Sequence, residues 1–170
     1  MLELGRGAYQ PARDDFWSAL GGAGTDDGGA VANAAEIQKA PMAALGMFEV
    51  YAAVGLRPQA LAWARGVQQA GVNLPAVTEA VGITLRRVGP LAVAKQWMQA
   101  AQQQGAYDLT LALELADVEQ RLGTPQDSLA TLEQTVRLNG ELPNLMELEA
   151  RALAGLGRRP EALARIHAAV

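Results

Sequence analysis

The side chains that could do chemistry in this sequence are few and scattered. His167 is the only histidine and lies close to the end of the chain, and cysteine is absent. Without cysteine, thiolate nucleophiles, disulfides and cysteine metal sites are excluded together, and a single imidazole has no second imidazole or thiolate to share a metal with. The only serines are Ser18 and Ser128, and neither lies in the strand-turn-helix context of a nucleophile elbow. Glu147 and Glu149 are the kind of carboxylate pair that general acid–base chemistry uses. On a helix, however, their i, i+2 spacing turns them to different faces. The expectation is a chain that is not an enzyme and has no cofactor and no metal.

One loop invites a ligand reading. Residues 21–29 run Gly-Gly-Ala-Gly-Thr-Asp-Asp-Gly-Gly. A phosphate cradle would need a Lys-Ser or Lys-Thr behind the glycines and a strand before them. A calcium loop built on Asp26 and Asp27 would need alternating oxygen ligands and a closing glutamate. Neither requirement is met, so the segment is expected to be a flexible insertion.

Composition narrows the class. Half of the residues are hydrophobic, aromatics make up only 5%, and the formal net charge is −4. Alanine and leucine dominate, which favours closely packed helices over strands. A mildly acidic chain has no general attraction for phosphate backbones or anionic membranes, so nucleic acid is not expected as a partner. No apolar run approaches the ~20 residues of a membrane span, and no secretory leader is visible at the start. The expected setting is cytoplasmic, with the chain read as a piece of a longer array truncated at its N-terminus.

Periodicity supplies the architecture. Gly55, Gly89, Gly123 and Gly157 are each 34 residues apart. Four glycines at a constant period mean one unit copied four times, each glycine closing a helix with a positive φ. Fourteen residues before three of them stand Pro41, Pro75 and Pro143, at the first turn of a helix, with Leu109 in the remaining slot and Asp108 as its N-cap. Five residues after each glycine comes Ala60, Ala94, Ser128 or Ala162, a small side chain where helices approach closely. First helices are expected over 41–54, 75–88, 108–122 and 143–156. Second helices are expected over 58–70, 90–104, 125–138 and 160–169, each opened by Pro58, Pro90, Pro125 or Pro160.

The period, the paired helices, the glycine between them and the small residue early in the second helix resemble the tetratricopeptide repeat family. The resemblance covers residues 41–170, four units, and residues 1–20 resemble a half repeat, an orphan second helix with Gly7 in the place of the turn glycine. Residues 21–40 are then an insertion, the glycine-rich loop plus a helix over 30–39 with Val31, Ala34, Ala35 and Ile37 on its apolar side. Of the family's aromatic positions one column keeps Tyr51 but carries Leu85, Glu119 and Leu153 afterwards.

The resemblance implies an all-α, right-handed α-solenoid of antiparallel helix pairs whose first helices line a concave groove for a peptide or a protein segment. Mapped by phase, the lining is Met42, Leu45, Glu49 and Ala52, then Ala76, Glu79, Ile83 and Arg86, then Thr110, Leu113, Asp117 and Gln120, then Asn144, Glu147, Arg151 and Ala154, with Arg87 and Arg121 at the edge. Leu45, Glu79, Leu113 and Glu147 occupy a column where family members that hold a carboxylate carry lysine and asparagine, so a carboxylate clamp is not expected. Trp63 and Trp97, 34 apart on second helices, are either an exposed anchor pair or core, and the rule that large apolar side chains avoid water favours core. Met42, Met47, Met98 and Met146 are expected to pack. The alternative to a binding scaffold is an oligomerisation or regulatory module of a larger regulator, with a homodimer formed through terminal helices such as the one carrying Leu163, Ile166 and Val170.

Overall fold

The computed structural model describes residues 2–22 and 31–169, with side chains from residue 9 onward. Among the described residues every element is helical: α1 Leu2–Ala19, α2 Ala34–Lys39, α3 Pro41–Ala53, α4 Arg57–Gln69, α5 Pro75–Val88, α6 Leu91–Gln103, α7 Leu109–Arg121, α8 Pro125–Asn139, α9 Pro143–Gly155 and α10 Arg159–Ala168. From α3 onward the helices pack as successive pairs, α3 with α4, α5 with α6, α7 with α8 and α9 with α10. Each first helix also packs on the next one, α3 on α5, α5 on α7 and α7 on α9, so the first helices form a continuous row.

Local chemistry accounts for the boundaries. Pro41, Pro75 and Pro143 occupy the first turns of α3, α5 and α9, where a missing N–H costs nothing. α7 begins instead at Asp108, whose carboxylate accepts the Leu111 N–H at 2.9 Å. Gly55, Gly123 and Gly157 take φ of 78°, 76° and 77°, the left-handed conformation that ends a helix most cheaply in glycine. Gly89 does not. It is extended, with φ −109° and ψ −178°, because Pro90 follows it directly and the pyrrolidine ring pushes its predecessor out of the helical region. A second column was not anticipated: Gly71, Gly105 and Gly140 also have positive φ and end the second helices α4, α6 and α8.

The small residues sit where the period puts them. Ala60, Ala94, Ser128 and Ala162 are all buried, each on its second helix against the paired first helix. Trp63 and Trp97 are core residues, and Trp17 of α1 meets Trp63 edge-on with ring centroids 6.4 Å apart. Met47, Met98 and Met146 are buried, whereas Met42 is 59% exposed. It stands on the outer side of the first turn of α3, away from the core.

The N-terminal expectations need correction. α1 starts at Leu2, so Gly7 lies inside a helix and is not a turn glycine, and Pro11 is in the helix interior. Residues before Gly7 continue the helix, and the glycine cost of about 1 kcal/mol is small against the backbone hydrogen bonds retained. α1 packs against α3. The inserted helix is shorter than expected: Asn33 caps it through a capping box with Glu36, Ile37 is buried against α4, and Ala34 and Ala35 face solvent. Asp26 and Asp27 lie outside the described residues. On α10, Leu163 and Ile166 are 59% and 48% exposed, since among the described residues that helix packs mainly on α9, and Val170 lies outside the described residues.

Candidate functional site in the first-helix row

The row of first helices carries the expected charges, but it uses most of them internally. Arg86 of α5 is held by two carboxylates of α7: its Nη2 donates to Glu114 at 3.2 Å, its Nε is ion-paired with the same carboxylate, and its Nη1 donates to Asp117 at 3.2 Å. Arg121 lies 3.6 Å from the same Asp117. Arg86, Asp117 and Arg121 are therefore brought together, with Glu114 as the fourth member of a neutral quartet that ties α5 to α7. Glu114 was not anticipated, although it precedes Asp117 by one helical turn and so shares its face. A guanidinium in a fork of two carboxylates is geometrically defined and not readily available to a partner.

Other expected lining residues divide into internal and open ones. Leu45 is buried because α1, α2, α4 and α5 surround or flank α3, so it is core and not groove surface, and Ala52 is buried with it. Ile83 and Leu113 are half-buried, packed against neighbouring cores. Gln120 donates to Ser128 Oγ at 3.1 Å and to the Leu148 carbonyl at 3.0 Å, which makes it a clamp between α7, α8 and α9. Glu147 and Arg151 form an exposed i, i+4 pair at 2.6 Å. Glu147 is exposed while Glu149, two residues on, is buried, as the i, i+2 argument requires.

Glu79 stands apart. Burial, and then a hydrogen bond and unfavourable charge from Asp108, raise its pKa to about 7. Asp108 is itself pushed up by burial, but hydrogen bonds from Glu79 and from the Leu111 N–H outweigh that and leave its pKa lowered. Seated at the start of α7, Asp108 keeps the negative charge and Glu79 keeps the shared proton near neutrality.

The open charges of the row lie between α3 and α5. A cavity of about 380 Å3 there is lined by Glu49, Ala52, Ala53, Thr84, Arg87 and Val88. Among the described residues neither Glu49 nor Arg87 has an ion-pair partner. An apolar floor with one free carboxylate and one free guanidinium can seat an extended polar segment that brings both signs.

The buried charges missed by sequence reasoning are on the other side of the first helices. Glu119, in the column that begins with Tyr51, accepts from Thr131 Oγ1 at 2.9 Å and lies 3.2 Å from Lys95 Nζ. Lys95 also reaches Asp127 at 2.7 Å. Glu149 lies 2.8 Å from Arg165 Nε, and Arg165 also bonds Glu141 at 2.7 Å. Burial raises both buried glutamates above the usual carboxylate range, only partly offset by these partners. Among the described residues no group of acidic or histidine side chains could hold a metal ion, and no helix is long and apolar enough to cross a membrane. No protein-family model, curated protein or solved structure matches the chain.

Proposed function

We propose that the chain is a right-handed α-solenoid of tetratricopeptide-like repeats that binds an extended segment of another protein along its row of first helices, without catalysing a reaction. The observation that carries this reading is the cavity between α3 and α5, where Glu49 and Arg87 remain unpaired while the charges farther along the row are bonded within the chain. A helical row offers length and alternating charge offers register, which favours selection of a partner over raw affinity. Of the expected contact residues, Glu49, Arg121, Glu147 and Arg151 stay accessible; Arg86 and Asp117 serve the reading by fixing the spacing of α5 and α7.

The test is capture of partners on the full chain, with identification by mass spectrometry, followed by the charge reversals Arg87→Glu and Glu49→Lys. Captured partners are expected to be lost with both reversals, and more completely at low salt than at high. Partners that survive both reversals, but vanish on Leu163→Glu with Ile166→Glu, would replace this reading with the second one. That second reading, an oligomerisation module, draws on the exposed Leu163 and Ile166 of α10 and predicts a dimer in light scattering.

A further inference from the structure

The second-helix side of the molecule holds a polar feature that the groove does not use. α6 carries Gln96, Gln99, Gln102 and Gln103, with Gln104 as its C-cap. Two larger cavities flank this helix, and a narrow crevice of about 20 Å3 that shares Gln102, Tyr107 and Gln134 with the second of them also reaches Asp108. One, of about 290 Å3, lies toward α4 and is floored by Val72, Trp97 and Ala100, with amides of Gln68, Asn73, Gln96 and Gln104 around it. The other, of about 370 Å3, lies toward α8 and is lined by Gln99, Gln102, Gln103, Tyr107 and Gln134. Charged residues make up 19% of the chain, yet neither of the two larger cavities has one in its lining. Among the described residues the side-chain amides of Gln96, Gln99, Gln102, Gln103 and Gln134 have no hydrogen-bond partner within the chain. Tyr107 is 60% exposed beside them.

This lining selects by chemistry. An amide presents a donor and an acceptor in one plane, so it is matched by groups that both donate and accept, and by neither a bare cation nor a bare anion. A hydroxyl is such a group. The exposed ring of Tyr107 adds an apolar face against which a saturated ring can lay its C–H side. An extended peptide would also meet amides and is the competing ligand of the test, but it has no need of the single exposed ring, which beside clustered amides favours a saccharide. We propose that the α6 surface binds a neutral saccharide, with a pyranose ring on Tyr107 and its hydroxyls bonded to Gln99, Gln102, Gln103 and Gln134. The proposal is independent of the groove between α3 and α5, which lies on the other helix layer.

The experiment is a titration of the full chain with neutral glucose, mannose and N-acetylglucosamine oligomers, a uronic acid oligomer, and a neutral glutamine-asparagine peptide. Side-chain amide resonances and tryptophan fluorescence are the readouts. At least one neutral oligosaccharide is expected to shift the glutamine amide signals at millimolar concentration, with the uronic acid oligomer weaker. Tyr107→Ala should weaken binding roughly tenfold, the equivalent of about 1.4 kcal/mol, with an unchanged melting temperature because the ring is exposed. Gln103→Glu should act in the same direction. The proposal is overturned if no neutral saccharide moves the amide signals, if only the peptide moves them, or if saccharide binding is indifferent to both substitutions.

Discussion

The first two helix pairs and the last two bury their first helices by different means. In α3 nine residues are buried and none is charged, and all of them but Gly46 and Val50 belong to one continuous apolar cluster that runs from Phe16 and Trp17 through Trp63 to Trp97. In α7 and α9 the burial includes Glu119 and Glu149, and the apolar residues divide into smaller groups around Leu115, Leu132 and Leu153. The column that places the Tyr51 and Leu85 side chains in the core places a carboxylate there in the third unit. Apolar stacking tolerates any neighbour of similar volume, whereas a buried carboxylate demands one particular cation. The later units therefore specify their register more strictly, at a cost in desolvation.

The largest expected effect breaks that contrast at its centre. Lys95→Ala leaves Glu119 buried without its cation and should destabilise by about 3 to 5 kcal/mol, since the desolvation of the carboxylate is no longer offset. Replacing both members, Lys95→Met with Glu119→Leu, should restore most of that stability or exceed the original, because it converts the third unit to the apolar manner of the second. Urea denaturation of the single and double variants measures this. A double variant as unstable as the single one would mean that the ion pair supplies net stability and that the two halves differ less than proposed.

Acidity acts on buried carboxylates in both halves, and most on Glu79 of α5. The pKa of Glu79 is raised to about 7, above its unfolded value of 4.5, so the folded protein holds more protons than the unfolded chain between those values. Stability contributed by this group is therefore complete below about pH 4.5 and falls as pH rises through 7. Glu119 and Glu149 shift in the same direction, while the lowered Asp108 and Asp127 act oppositely and lose their contribution as the solution becomes acid. Glu79→Gln should flatten the decline between pH 5 and pH 8 in urea midpoints, and an unchanged slope would count against the Glu79–Asp108 proton.

How much of this was legible in the sequence depends on the range of each cause. Helix starts at Pro41, Pro75 and Pro143, the cap at Asp108 and the buried small residues at Ala60, Ala94, Ser128 and Ala162 follow from local geometry and a fixed period, and they were foreseen. The left-handed turn failed only at Gly89, where Pro90, read from the sequence as the opener of the second helix, also restricts the residue before it and overrides the period. Leu45 and Gln120 were placed in the groove by phase, but α1 and α2 beside α3, and Ser128 and the Leu148 carbonyl beside Gln120, determine their surroundings. Phase along one unit cannot see an added layer. The Lys95–Glu119 pair joins α6 of one unit to α7 of the next, and no spacing rule within a helix reveals it.

The smallest expected effect concerns the exposed pair Glu147–Arg151 on α9, and it separates stability from recognition. Their side chains are 62% and 58% exposed and 2.6 Å apart, a spacing of i, i+4. Such pairs contribute about 0.3 to 0.5 kcal/mol, and salt screens them. Arg151→Ala should therefore shift the urea midpoint barely, in contrast to Lys95→Ala, although both remove one cation that faces one glutamate. If the first-helix row binds a partner segment, the same substitution should still weaken capture at low salt, because a charge held loosely by its own chain is available to a visitor whereas Arg86 in its carboxylate fork is not. A stability loss at Arg151 comparable with that at Lys95 would erase the distinction between open and enclosed charge on which the assignment of contact residues rests.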